Sequence, residues 1–224
     1  MPSLDESVAR VAQYYAAQAP YYHEGSYGTQ HTTIDYARLK SVYQTAFAGQ
    51  SVLEIAAGTG YWTEVLARTA HTVLATDVNP GLVDLARQRV RLFPNVRFLV
   101  ADAYVLDTIA ERLSGAFAHY WWTHIPKKKR KSFLNTLHSK LRPGSLVVFA
   151  DNLSYQADWV KRRVDEHGDT YEERCLPDGS RFETIKNFPT ELEIVDLLRD
   201  IADEVEYKEY EPESIWTVSY RVRP

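Results

Sequence analysis

The sequence predicts an α/β domain built as a doubly wound, mostly parallel sheet. Two observations carry this reading. Apolar runs of strand length recur along the chain as SVLEIA (51–56), TVLATD (72–77), VRFLVAD (96–102), AFAHYW (116–121) and SLVVFAD (145–151). Between them lie amphipathic segments of about 10 to 20 residues, the crossover length that joins parallel strands through helices.

Each element has its own signal. A helical pattern runs from about Ser7 to Ala19, ahead of the first apolar run. That run meets a small-residue turn, AAGTG, and restarts as the helix-like YWTEV. Asn79-Pro80 supplies a capping side chain and a proline suited to the first helical position, and Leu82, Val83, Leu85, Ala86 and Val90 continue that helix at its period. A further helix over Phe133 to Leu141 stops at Arg142-Pro143-Gly144, which turns into the fifth strand. The C-terminal third differs in texture. YEERCLPDGSRFETIKNF (171–188) places Pro-Asp-Gly-Ser between two alternating runs, a hairpin signal. A helix from about Thr190 and two strands, VEYKEY (205–210) and IWTVSYRV (215–222), follow. With 224 residues, no repeats and no linker, the chain reads as one domain carrying an inserted hairpin.

Composition narrows the function. A formal net charge of -4 leaves no electrostatic footprint for nucleic acid. KKKRK (127–131) opens a predicted helix in this acidic chain and reads as a solvated face. A single cysteine, Cys175, excludes an internal disulfide framework and a multi-cysteine zinc site, and no His, Asp or Glu group has ligand spacing on one element, so no metal is expected. There is no apolar stretch of membrane-spanning length and no cationic start leading into an apolar block, so a cytoplasmic protein with no membrane partner is expected. The 15 Tyr and 5 Trp cluster near the N-terminus and around residue 120, which suits small-molecule pockets and core filling alike.

The turn after the first strand is the first chemical signal. Small residues let a ligand approach the backbone, and the N–H groups at the helix start favour polar or negative ligand groups. The stretch EIAAGTG lacks the third glycine of a dinucleotide fingerprint and the lysine of a phosphate-binding loop. It resembles instead the E/D-x-G/A-x-G-x-G first motif of the class I S-adenosylmethionine-dependent methyltransferases. The resemblance continues in register: Asp77 in LATDVNP, Asp102-Ala103 in FLVADAY, AHYWWTHIP (118–126) after the fourth strand and LRPGSLVVFAD (141–151). Successive strand ends of this kind are where doubly wound sheets bind ligands.

The resemblance implies a Rossmann-like seven-stranded sheet, mostly parallel with an antiparallel last strand. It implies an N-terminal helical lid (1–40), a cofactor-binding core (41–151), a hairpin insertion (152–189) and a C-terminal helix with strands (190–224). The implied cofactor is S-adenosyl-L-methionine, released as S-adenosyl-L-homocysteine. Its implied contacts are Glu54, Ala56 (where the family usually has glycine), Gly58, Thr59, Gly60, Trp62, Asp77 for the ribose, Val78, Asp102 and Ala103 for the adenine, and Trp121. Tyr15 and Tyr22 match lid tyrosines, while Ala16 to Ala19 and Tyr22-His23 stand where the family often has arginine and Tyr-Asp. The expected partner is a small-molecule acceptor, bound by a monomer or homodimer.

Candidates for handling the acceptor lie outside these motifs. His124 in WWTHIP can take a proton or orient the acceptor. Tyr27 belongs to the N-terminal aromatic set. Arg174, Arg181 and Lys186 of the hairpin can converge on an oxyanion, since alternate residues of a strand share a face. This stretch resembles that of small-molecule O-methyltransferases of natural-product pathways, a phosphonate O-methyltransferase among them, which implies a phosphonate, phosphate ester or carboxylate acceptor. Oxygen is favoured over nitrogen as the acceptor atom. Phenol or amine methylation, or a silent cofactor-binding module, are the alternatives.

Overall fold

A computed structural model describes residues 4–21, 36–154 and 160–224. Strands β1 (Ser51–Glu54), β2 (Thr72–Asp77), β3 (Val96–Val100), β4 (Leu113–His119) and β5 (Leu141–Asn152) pair in parallel. The chain then leaves to form a separate antiparallel sheet of β6 (Arg162–Val164), β7 (Thr170–Cys175) and β8 (Arg181–Ile185). It returns as β9 (Ala202–Tyr210) and β10 (Ile215–Val222), giving a seven-stranded sheet in the order β3-β2-β1-β4-β5-β10-β9. The last strand, β10, is antiparallel to both its neighbours.

Period-2 alternation sends each strand's side chains into two cores. Leu53, Ile55, Ala116, Ala118, Val147 and Phe149 pack with Phe133, Leu134 and Leu137 of α5 (Arg130–Ser139) and Ile194 and Leu198 of α6 (Glu191–Leu198). Val52, Phe117, Val148 and Ala150 pack on the other face with Leu39 and Tyr43 of α2 (Ala37–Ala46) and Trp62, Val65 and Leu66 of α3 (Tyr61–Ala67). Each large side chain fully buried this way contributes roughly 1.5–3 kcal/mol. Among the described residues, no helix is long and apolar enough to cross a membrane.

Local signals act as read at two helix starts. The Asn79 side chain accepts from Gly81 N at 2.9 Å and Leu82 N at 3.4 Å, capping α4 (Pro80–Arg89), with Pro80 in its first turn. Thr190 and Glu193 form a reciprocal capping box on α6. Elsewhere the structure departs from the sequence reading. Arg142-Pro143-Gly144 lies within β5, where the register jumps from Leu113↔Leu141 to Gly115↔Leu146 and Gly144 takes φ +77°, so the segment is a bulge in a continuous strand. Helix α5 starts at Arg130, three residues ahead of the predicted Phe133, and Arg130 departs from the solvated run by burying its guanidinium over the Trp122 ring. The hairpin gains a third strand, β6, which alternation alone did not announce.

The N-terminal helix α1 (Leu4–Gln18) rests on this second sheet. Ser7 Oγ meets the Tyr171 hydroxyl at 2.9 Å, and the Tyr14 ring packs edge-on against Phe182 at 5.7 Å.

Gly60 caps α3 at φ +80°, and a Cβ there would lie 2.9 Å from the Ala86 Cβ. The turn therefore needs glycine twice over, for its backbone angle and for the closeness of α4. Gly49, at φ +71°, has open space around the same position. Gly60→Ala should lower stability by roughly 2–4 kcal/mol and Gly49→Ala by about 1 kcal/mol in urea unfolding. Equal losses would show that the Ala86 contact does not matter.

Candidate functional site

A cleft of about 1600 Å³ lies over the C-terminal ends of the parallel strands. Its floor comes from the loops after β1 to β4, and its opposite wall from α1 and the second sheet. Of the predicted site residues, Tyr15, Ala56, Gly58, Asp77, Val78, Asp102, Ala103, Trp121, His124, Arg174 and Lys186 line it. Glu54, Thr59, Gly60, Trp62 and Arg181 do not, and Tyr22 and Tyr27 lie outside the described residues.

At the β1–β2 end, the Asp77 carboxylate accepts from Gly58 N and Asn79 N, each at 2.9 Å. Two backbone donors thus fix its orientation at the cleft wall, while burial raises its pKa. Gly58 has φ +58° with nothing within 4 Å of where a Cβ would stand, which leaves its backbone open to the cleft. Ala56 takes φ +53°, a left-handed angle that favours glycine, so the family's usual residue has a conformational reason here. Behind this loop Glu54 is buried with one carboxyl oxygen lacking a partner among the described residues, and burial, with the nearby Asp77 charge, pushes its pKa up to about 8. Trp62 is buried beneath the loop and stacks on His119 at 4.3 Å. On the β3 side, Asp102 is exposed and its Oδ1 accepts from Tyr104 N at 2.8 Å, holding the turn that presents Ala103.

At the opposite end, His124 is buried in a short 3₁₀ turn after β4. Its Nδ1 lies 2.6 Å from the Ile185 carbonyl, which can only accept, so Nδ1 carries the proton. Nε2 then accepts from the Tyr15 hydroxyl at 2.8 Å. Burial, followed by the Lys186 charge, lowers the His124 pKa to about 3. The imidazole is therefore neutral and its lone pair already engaged.

The hairpin cations fall into different positions. Arg174 and Lys186 share one face of the second sheet, whereas Arg181 is on the other, paired with Glu173 at 2.7 Å and 64% exposed. Glu172 sits wholly buried between Arg162 and Arg174. Lys186 is buried, and its three ammonium protons reach Thr123 Oγ1 at 2.8 Å, Asn152 Oδ1 at 3.0 Å and Asp151 Oδ1 at 3.2 Å. Burial lowers the Lys186 pKa; burial alone would raise that of Asp151, but the Lys186 charge and two backbone N–H groups hold it below the usual carboxylate range.

Several cleft residues were missed from sequence. Tyr36 and Tyr120 meet hydroxyl to hydroxyl at 2.8 Å, and His119 ends β4 at the cleft floor. His119 had a usable signal, since it occupies the C-terminal end of a parallel strand. Asp151 had a weaker one, as a lone carboxylate closing an apolar run.

The sheet is open and parallel apart from one antiparallel strand, and its cleft crosses the strand ends beside a glycine turn and an acid at β2, a Rossmann-like arrangement. Residues 52–144 match the family model of a methyltransferase domain. Demethylmenaquinone methyltransferase of Clavibacter sepedonicus is 26% identical over 118 residues, 53% of this chain and 47% of that protein. The chain spans half the length, or less, of the curated relatives it matches. Among solved structures, DhpI bound to S-adenosylhomocysteine (SAH) superposes with a TM-score of 0.75 at 24% identity, covering 97% of this chain and 98% of that one. Burkholderia thailandensis 1,6-didemethyltoxoflavin-N1-methyltransferase, solved with its acceptor and SAH, gives 0.66 at 18% identity, covering 100% and 92%. These likenesses establish the fold.

Two stability predictions follow from the buried charges. Lys186→Met leaves Asp151 buried without its cation and should cost about 3–5 kcal/mol in urea unfolding, part of which Asp151→Asn in the same chain restores. No loss would mean that water reaches the pair. Glu54 binds its proton more tightly folded than unfolded, so the stability it contributes is full below about 4.5 and is lost as pH rises through about 8. Glu54→Gln should therefore flatten the decline of the urea midpoint between about pH 5 and 8; an unchanged slope would place the titration elsewhere.

Proposed function

We propose that the protein transfers the methyl group of S-adenosyl-L-methionine to a small-molecule acceptor, with an anionic oxygen as the atom methylated. The observation that carries this reading is the Asp77 carboxylate, fixed by Gly58 and Asn79 N–H groups at the wall of the cleft within a matched methyltransferase domain. The residues present fit the cofactor: the Asp77 oxygens retain lone pairs for two ribose hydroxyls, Asp102, Ala103, Tyr104 and Trp121 line the cleft where the adenine would lie, and the open backbone at Gly58 admits close approach. When bound, the cofactor supplies a sulfonium methyl open to in-line displacement.

The chain's part is to align the acceptor and exclude water. A histidine held near pKa 3 is a weak base at neutral pH, so His124 orients Tyr15 and the acceptor. That role suits an acceptor that arrives already ionised. Charge supports the same conclusion: Arg174 and Lys186 bring cationic side chains to this wall, Arg174 pairing with the buried Glu172 and Lys186 with Asp151. A phosphonate, phosphate ester or carboxylate is the acceptor class it favours. The exposed, unbridged Cys175 fits a cytoplasmic setting.

Calorimetric titration with S-adenosyl-L-methionine and S-adenosyl-L-homocysteine tests the cofactor, and a methyl-transfer screen over phosphonates, carboxylates, phenols and amines tests the acceptor. Binding to neither ligand would overturn the reading, and turnover confined to phenols or amines would overturn the anionic acceptor. Asp77→Ala should weaken cofactor binding roughly tenfold to a hundredfold; unchanged affinity would remove the ribose assignment. His124→Gln should lower kcat by less than about tenfold, with no inflection from this residue between about pH 6 and 8, whereas a loss of a thousandfold would make it the base.

A further inference from the structure

We propose that Asn187 is the positioning residue that fixes the tautomer and direction of the His124 imidazole. The assignment deepens the orienting role given to His124 above and rests on that reading. The loop after β4 satisfies N–H groups within its own short turn: His124 N donates to Trp121 O at 3.0 Å and Ile125 N to Trp122 O at 3.1 Å. The carbonyls on either side of His124 face the second sheet, and one residue meets both. Asn187 N donates to Thr123 O at 2.7 Å, and Asn187 Nδ2 to Ile125 O at 3.2 Å. Between these two bonds, His124 Nδ1 donates to Ile185 O at 2.6 Å, two residues earlier on the same strand end. The short segment 185–187 therefore holds three consecutive residues of the loop.

A neutral imidazole carries its proton on either nitrogen, and a carbonyl within reach of one nitrogen selects it. The seat of this strand end against the loop thus decides which nitrogen faces Tyr15. Asn187 is 1% exposed, and its amide is fully engaged. Its Oδ1 accepts from Thr170 N at 2.9 Å, and its Nδ2 donates a second bond to Asp169 Oδ1 at 2.8 Å. The same Asp169 oxygen accepts from Lys127 N at 2.8 Å, at the far end of the loop. Two donors and an acceptor at this reach are what asparagine supplies; aspartate has no donor, serine has one and leucine none. A carbonyl left unpaired here would be buried without a partner, which drives the loop to shift toward another donor.

The two bonds of Nδ2 have separable effects. The bond to Asp169 ties the second sheet to the start of α5, whereas the bond to Ile125 O acts on the residue next to His124. Exchanging the two side chains, Asn187→Asp with Asp169→Asn, separates them. The amide then at position 169 donates to the carboxylate at position 187, and its oxygen accepts from Lys127 N. Nothing at position 187 donates to Ile125 O.

Proton–nitrogen correlation spectra of the imidazole rings, with His124→Gln assigning the signal, read the tautomer without turnover. Wild type should show a protonated Nδ1 and a bare Nε2 at His124. Asn187→Asp should displace or split that signal and lower the urea midpoint. The exchange should recover most of the midpoint but leave the signal displaced, with kcat/KM for the acceptor lowered about tenfold and the Kd of S-adenosyl-L-homocysteine within twofold of wild type. A signal that returns together with the midpoint, or that neither variant moves, would make Asn187 a scaffold residue and overturn the assignment. So would a wild-type ring protonated on Nε2. If wild type methylates no acceptor, the functional reading fails and takes the kinetic role of Asn187 with it, while the spectra still decide the tautomer. The exchange carries the test alone if Asn187→Asp unfolds.

Discussion

The buried pair of Lys186 and Asp151 is the contact on which the architecture of the cleft depends. Asp151 belongs to the main sheet, Lys186 to the end of the second one, and Thr123, which donates both its N–H and its hydroxyl to Asp151 at 2.9 Å, to the loop after β4. Three parts of the chain far apart in sequence meet at one ion pair. Two charges taken out of water need every proton and lone pair occupied, and here the ammonium has three partners and the carboxylate accepts from backbone and side chain. The neighbouring bonds continue the seam. Asn187 N donates to Thr123 O at 2.7 Å, and His124 Nδ1 donates to Ile185 O. The loop bearing His124 is thus stitched to the second sheet as firmly as to its own strand.

The two ends of the cleft differ in electrostatics for reasons visible in their neighbours. Around β1 and β2 the buried groups are carboxylates, Glu54 and Asp77, and burial raises both. Across the cleft Arg162 and Arg174, neither of them buried, pair with the buried Glu172, and the buried Lys186 pairs with Asp151. A ligand with hydroxyls at one end and an anion at the other matches this polarity. His124 lies at this cationic end as a neutral ring, because desolvation and the lysine charge act in the same direction on it.

Much of the fold was legible because its signals are local. The strand-length runs, the Asn79-Pro80 start and the Pro-Asp-Gly-Ser turn depend on residues within a few positions of one another, and the structure has a strand, a cap and a turn at each. The Arg-Pro-Gly segment misled for the same reason, since turn residues also make bulges, and only pairing with β4 decides which. At the site, the acids and glycines at strand ends were legible through the family resemblance that their motifs carry in order. What could not be read was pairing across the fold: that Arg181 faces away toward Glu173, that Lys186 spends its protons on Asp151, and that Trp62 supports a histidine 57 positions further along the chain.

The seat of α1 ties one wall of the cleft to the hairpin. The helix rests on β7 and β8 through Ser7, Tyr14 and Arg10, and its Tyr15 reaches the histidine on the far loop. Helix α1 and the second sheet are therefore one composite panel along the cleft. Remodelling the hairpin also remodels the footing of the helix, so the two change together. A transplanted insertion keeps its shape only with a matching N-terminal helix.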